Sequence, residues 1–191
     1  MNWKNGMLCL FVVVSLVQIA VPLSMIAHRE RTLIEGEAFR FKTAPVDPYD
    51  AFRGRYVALR IEQSSVMTTN AAAYRHGQTV YALLEKDQND FSRITGVSVD
   101  RPHGRPYVTA EVGYSYGTNL NLNLPFDRYY MSEDKAPKAE SAYRRNSTRT
   151  NQNTFVTVRV MDGFAVLEEL YIGGMPIKEY IEKEQTGGKQ R

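Results

Sequence analysis

Asp47, Asp50, Arg53, Arg55 and Tyr56 crowd into one short stretch of the chain. Carboxylates, guanidiniums and a phenol at this spacing could do two kinds of chemistry. An arginine presents a rigid fork for bidentate contacts to a polar ligand or to a partner. Paired carboxylates do acid–base work when their surroundings separate their pKa values. A second group, Asp127, Arg128, Tyr129 and Tyr130, has the same ingredients. On a strand, Asp127 and Tyr129 would share one face and Arg128 and Tyr130 the other. One of these faces could line a groove with Tyr56. The plainer reading of both groups is structural: an aspartate before a proline braces a turn, and a core tyrosine buries its ring with its hydroxyl satisfied.

Other chemistries lack their residues. His28, His76 and His103 are scattered, with no second histidine or cysteine at ligand spacing, so neither a zinc site nor any other metal site is expected. No glycine-rich loop leading to Lys-Ser or Lys-Thr is present, and no cofactor is expected. Gly113-Tyr114-Ser115-Tyr116-Gly117 has the letters of a nucleophile elbow, but it is flanked by tyrosines and has no placed histidine, so it reads as strand or turn. A net charge of +3 is too mild for a nucleic-acid partner. The single cysteine, Cys9, lies in an apolar run, which leaves the rest of the chain without an internal disulfide.

The elements that must position the first group are a turn and a strand. Asp47-Pro48 and Asp50 cannot be helical, because the residue before a proline is pushed to extended geometry. From Arg55 to Gln63 the side chains alternate, with Tyr56, Ala58 and Arg60 on one face and Arg55, Val57, Leu59 and Ile61 on the other. Strands are also expected over 38–43, with Phe39 and Phe41 inward, and over 80–86, 91–99, 107–116, 120–124 and 126–131. Asp162-Gly163 marks a two-residue hairpin between 154–161 and 164–172. Residues 64–76 fit a short helix or a loop equally well. Ser132 to Arg145 reads as a helix capped by Ser132, with Pro137 in its first turns.

Gly6 to Ala27 has no ionisable side chain apart from the Cys9 thiol, and its length meets the roughly 20 residues that cross a hydrocarbon core. Met25 stands where a signal-peptidase site ending at Ala27 would need a small residue, which favours an uncleaved anchor over a signal peptide. The expected organisation is a tip and transmembrane anchor over 1–28, a juxtamembrane segment over 29–37 and a mostly β domain over 38–180. A charged, glycine-rich flexible tail over 181–191 completes it. The fold class is mainly β (α+β), a curled antiparallel sheet or partly open barrel with one or two short helices.

Gly54-Arg55-Tyr56-Val57-Ala58-Leu59-Arg60-Ile61 resembles the motif of the GDYXXLXY family, small bacterial membrane-anchored proteins without an assigned activity. The stretches 46–53, 80–86 and 126–133 are similar to that family as well. Arg55 replaces the motif's acidic residue and Ile61 its final tyrosine. The resemblance implies a single-pass protein of the bacterial inner (cytoplasmic) membrane with its domain on the extracytoplasmic side. The expected role is a non-enzymatic interaction module, bound to the bilayer by its helix and set beside an integral membrane partner. Asp47, Asp50, Arg53, Arg55, Tyr56, Asp127, Arg128 and Tyr129 are its candidate contact residues. Two rivals stand beside it: a tethered hydrolase of envelope material using Asp47 or Asp50 as acid–base, and a domain that binds glycans or lipid headgroups on exposed tyrosines.

Overall fold

The computed structural model describes residues 3–44, 56–148 and 151–187. In chain order the elements are helix α1 (Trp3–Glu35), strands β1 (Glu37–Ala44), β2 (Tyr56–Ala58), β3 (Arg60–Ile61) and β4 (Ser65–Met67), and a 3-10 turn at Ala71–Ala73. Then come β5 (Thr79–Lys86), β6 (Ser92–Ser98), β7 (Tyr107–Tyr116), β8 (Asn119–Asn123), β9 (Arg128–Tyr130) and helix α2 (Ala136–Asn146). The chain closes with β10 (Ser147–Thr148), β11 (Asn151–Gln152), β12 (Thr154–Met161), β13 (Phe164–Ile172), β14 (Met175–Pro176) and helix α3 (Ile177–Gly187).

Two five-stranded antiparallel sheets carry the core. One has the order β14-β13-β12-β1-β3 and the other β4-β8-β7-β5-β6. In the second, the edge strands β4 and β6 come back into contact, which curls the sheet into a nearly closed barrel. Short ribbons β2–β9 and β10–β11 complete the strand set. This is the mainly β architecture behind one long apolar helix that the alternating sequence predicts.

The joint between helix and sheet is a single residue. Gly36 donates its backbone N–H to the Thr32 carbonyl at 2.9 Å, closing α1, and Glu37 already belongs to β1. A side chain at Gly36 would meet the Thr32 carbonyl at 2.4 Å and the Val160 backbone at 3.2 Å, so the close approach itself demands glycine. The Gly36 carbonyl accepts from Arg159 Nη1 at 3.3 Å, Thr32 is fully buried, and His28 lies against Phe164 with ring centroids 4.5 Å apart. The last two turns of α1 are thereby held against β12 and β13. Residues 6–35 of this helix are long and apolar enough to cross a membrane or to serve as a signal sequence.

From Gly36 the chain alternates. Phe39 and Phe41 are each 1 % exposed, and each fully buried aromatic contributes roughly 1.5–3 kcal/mol through the water it leaves behind. Strand β1 pairs with β12 from Glu37↔Val160 to Lys42↔Phe155 and hands its last residues to β3. The β5–β6 hairpin turns on Asp87, whose Oδ1 accepts the N–H groups of Asn89 (2.8 Å) and Phe91 (2.9 Å). The β12–β13 hairpin turns on Asp162 (φ 52°) and Gly163 (φ 82°), the left-handed pair that matches strand twist.

Three stretches differ in detail from the sequence reading. The strand expected over 55–63 is broken at Leu59, so β2 joins β9 while β3 joins β1. Helix α2 starts at Ala136, not at Ser132: the Ser132 carbonyl accepts from Lys135 and Ala136 in a preceding turn, and Pro137 occupies the first helical turn, where its missing N–H costs nothing. Residues after Tyr180 are helical as far as Gly187, with Ile177 and Ile181 buried and Glu182 and Glu184 ion-paired to Lys135 and Arg145 of the α2 region.

Candidate interaction surface

Of the sequence-derived candidates, Tyr56, Asp127, Arg128 and Tyr129 are described. Asp47, Asp50, Arg53 and Arg55 lie outside the described residues, in the segment that runs directly into Tyr56.

The ribbon β2–β9 brings the two groups together. Its antiparallel register pairs Tyr56↔Tyr130, Val57↔Tyr129 and Ala58↔Arg128. Because strand side chains alternate, Val57 and Tyr129 point into the core while Tyr56, Arg128 and Tyr130 share the outer face. Burial follows this parity: Val57 and Tyr129 are 0 % and 5 % exposed, and Tyr130 is 60 % exposed. Behind the ribbon, α2 turns Ala136, Ala139, Ala142 and Tyr143 inward, and the Tyr143 hydroxyl donates to the Ala44 carbonyl at 2.9 Å. This bond fixes the last residue of β1, from which the undescribed segment departs.

On the outer face, the rings of Tyr56 and Tyr130 lie 5.5 Å apart and tilted by 55°. The Arg128 guanidinium sits 5.2 Å from the Tyr56 ring centroid and 3.7 Å from an Asp127 carboxylate oxygen. A hydrogen bond to the Tyr130 hydroxyl is the main cause that raises the Arg128 pKa above its ordinary value, and the Asp127 charge adds to it. The result is a cation held by two aromatic side chains and one carboxylate, with Asp127, Arg128 and Tyr130 exposed and Tyr56 half-buried. Asp127 also borders a polar groove of about 350 Å³ that Arg60, Tyr114, Asn121 and Asn123 line.

Tyr129 has a different role. Its ring is in the core and its hydroxyl donates to Glu169 Oε1 on β13 at 2.5 Å, so it is the satisfied core tyrosine that the sequence reading set beside the functional one. Tyr130 was absent from the candidate contact residues, although strand parity already placed it on the face of Arg128. Glu169 had no sequence signal, since its partner lies 40 positions away.

The acid–base reading needs two convergent carboxylates. The described part of the surface offers Asp127 alone, which is 63 % exposed at its side chain. Among the described residues no group of three or more His, Cys, Asp or Glu could hold a metal ion. His76 bonds to the Gly113 carbonyl, His28 packs on Phe164, and Ser115 of the elbow-like stretch lies in strand β7.

The family model of the GDYXXLXY protein matches residues 18–170, from within α1 to β13. No curated protein and no solved structure matches the chain significantly.

Proposed function

The chain belongs to the GDYXXLXY family, and we propose that it works as a membrane-anchored, non-enzymatic interaction module whose contact face is the outer side of the β2–β9 ribbon. In this reading α1 is an uncleaved anchor in the bacterial inner membrane, the β domain stands on the extracytoplasmic side, and the partner is an integral membrane protein. The observation that carries it is the Tyr56–Arg128–Tyr130 cluster, in which Arg128 and Tyr130 are exposed beside the half-buried Tyr56. Tyrosine and arginine are the residue types that concentrate binding energy at interfaces, because each pairs a large rigid contact area with directed hydrogen bonds. Arg128 is already held in place by its neighbours, which lowers the ordering cost of a contact. Asp47, Asp50, Arg53 and Arg55, which precede Tyr56 in sequence, are proposed as further contact residues. The anchor adds affinity by confining partner and module to one surface, where effective concentrations are high.

A second reading has a specific observation in its favour. An exposed Tyr130 ring tilted against the half-buried Tyr56 ring, beside a guanidinium, also forms a shelf on which a sugar ring could stack. Affinity capture from detergent-solubilised membranes separates the two. Full-length wild type is compared with an Arg128→Ala, Tyr130→Ala chain and with an Asp50→Ala, Arg53→Ala, Arg55→Ala chain. A membrane protein recovered by wild type and lost from both variants is the expected result. Equal recovery by all three chains overturns the assignment of this face, and saturable glycan binding that only the Arg128→Ala, Tyr130→Ala chain loses would transfer it to the second reading.

A further inference from the structure

The geometry points to a second, membrane-apposed face: the Arg101–Pro106 loop and the β12–β13 turn rest on the bilayer surface and engage anionic lipid headgroups. The inference rests on reading α1 as a membrane anchor and is independent of the partner face on β2–β9.

The level of the membrane can be placed along α1. A hydrocarbon core about 30 Å thick takes roughly 20 helical residues at 1.5 Å each. Met7–Ile26 supplies that length without a charge. His28 then falls about 3 Å, and Arg31 about 7.5 Å, beyond the last of these residues along the helix axis. The headgroup layer on each side is about 5–7 Å deep. His28 and Arg31 therefore stand within it or at its outer edge.

The β12–β13 turn sits at this same level. Phe164 packs on His28, and Asp162 lies within electrostatic reach of Arg31. Strand β1 starts opposite Val160, beside the turn, and runs from there towards Phe155, so the body of the sheet extends away from the membrane and the turn is its near end. The loop is tied to this end as well. Arg101 Nη2 is 3.2 Å from Asp162, its Nε donates to the Tyr107 hydroxyl at 2.5 Å, and Thr109 donates to the Gly163 carbonyl at 2.9 Å.

The composition of this end suits a lipid surface. The loop Arg101-Pro102-His103-Gly104-Arg105-Pro106 has two arginines, one histidine and no acid. Arg105 and His103 are exposed and have no ion-pair partner among the described residues. Two prolines limit the freedom that such a loop would lose on contact. Phe164 leaves 42 % of its surface exposed at the depth where aromatic rings are favoured. The guanidinium fork matches a lipid phosphate, and each arginine near an anionic surface contributes about a fivefold preference. Glu37 and Asp162 also border the groove beside the loop, but Glu37 is paired with Lys86 and Asp162 with Arg101.

The test uses the full chain in nanodiscs containing phosphatidylglycerol. A fluorophore is attached to native Cys9 or, on a Cys9→Ser background, to His103→Cys or Tyr116→Cys, and is quenched by a headgroup-labelled or chain-labelled lipid. Tyr116 lies roughly 30 Å farther along β7 than Tyr107, at about 3.3 Å per residue. The Cys9 label should be quenched from the hydrocarbon. The His103 label should be quenched by the headgroup probe several-fold more than the Tyr116 label, with the excess lost in phosphatidylcholine discs and in Arg105→Glu. A Cys9 label in hydrocarbon with equal quenching at 103 and 116 overturns the docking alone. A Cys9 label in water overturns the docking together with the anchor reading.

Discussion

The Tyr129 hydroxyl donates to Glu169 Oε1 at 2.5 Å, and this one bond joins the back of the β2–β9 ribbon to strand β13 of the large sheet. The same carboxylate oxygen accepts the Leu170 N–H at 3.0 Å. Burial first, and the Glu169 carboxylate second, push the Tyr129 pKa well above its ordinary 10.0. The folded chain therefore keeps this proton at pH values where the unfolded chain gives it up. Its stabilising contribution is complete below pH 10 and is lost as the pH climbs beyond that value. Tyr129→Phe should cost about 1–3 kcal/mol at neutral pH, and the gap from wild type should narrow between pH 10 and 12. Thermal melts of the two detergent-solubilised chains across that range check it.

Tyr129 and Tyr130 are adjacent in sequence and opposite in consequence. Truncating the buried ring, Tyr129→Ala, leaves a cavity and a carboxylate that has lost one of its two donors, and should cost on the order of 3–5 kcal/mol. Tyr130→Ala removes a ring that already faces solvent and should change stability by less than about 0.5 kcal/mol. Denaturant unfolding of both chains distinguishes them, and near-equal losses would mean that the outer face of the ribbon is packed in solution.

Asp87 titrates in the other direction. The Phe91 N–H is the largest cause that lowers its pKa from 3.8, with the Asn89 N–H and the Arg93 and Lys42 charges adding to the effect. Its contribution is present above pH 3.8 and is lost as the pH falls through the lowered folded value. Asp87→Asn should melt earlier than wild type at pH 6, and the gap should narrow as the pH falls below 3.8 through the lowered folded value. Paired melting curves at about pH 6 and at successively lower pH values below 3.8 check it.

Gly36→Ala should be disproportionately costly for so small a change. The new methyl would collide with backbone on two sides, and overpacking of this kind costs about 1–3 kcal/mol. Protease susceptibility around residues 35–37 should rise in parallel, which limited proteolysis followed by mass measurement would show.

Much of the fold can be read locally. Phe39 and Phe41 declare their inward face by alternation alone, and Asp162-Gly163 declares its hairpin because only a left-handed pair fits a two-residue turn. The ribbon is different in kind. Nothing in Tyr56-Val57-Ala58 says that its partner is Arg128-Tyr129-Tyr130, because periodicity fixes which way a side chain points and not which distant strand lies beside it. For the same reason the break at Leu59 is silent: Val57, Leu59 and Ile61 are all buried and keep one continuous period across two different sheets. The candidate surface was legible as residue types and strand parity, which sets Arg128 and Tyr130 on one face. The switch of Tyr129 into the core required the partner Glu169, far away in sequence.

The single-residue passage from α1 to β1 at Gly36 makes the helix a lever and not a leash. A long flexible tether would let the domain roam about the end of the helix; here azimuth and tilt are inherited from α1. Under the anchor reading proposed above, a rotation of the helix in the bilayer would sweep the Tyr56–Arg128–Tyr130 face through the same angle. One residue added within the helix would turn that face by about 100° relative to the start of α1, so the length of the helix also sets the direction of the surface it carries.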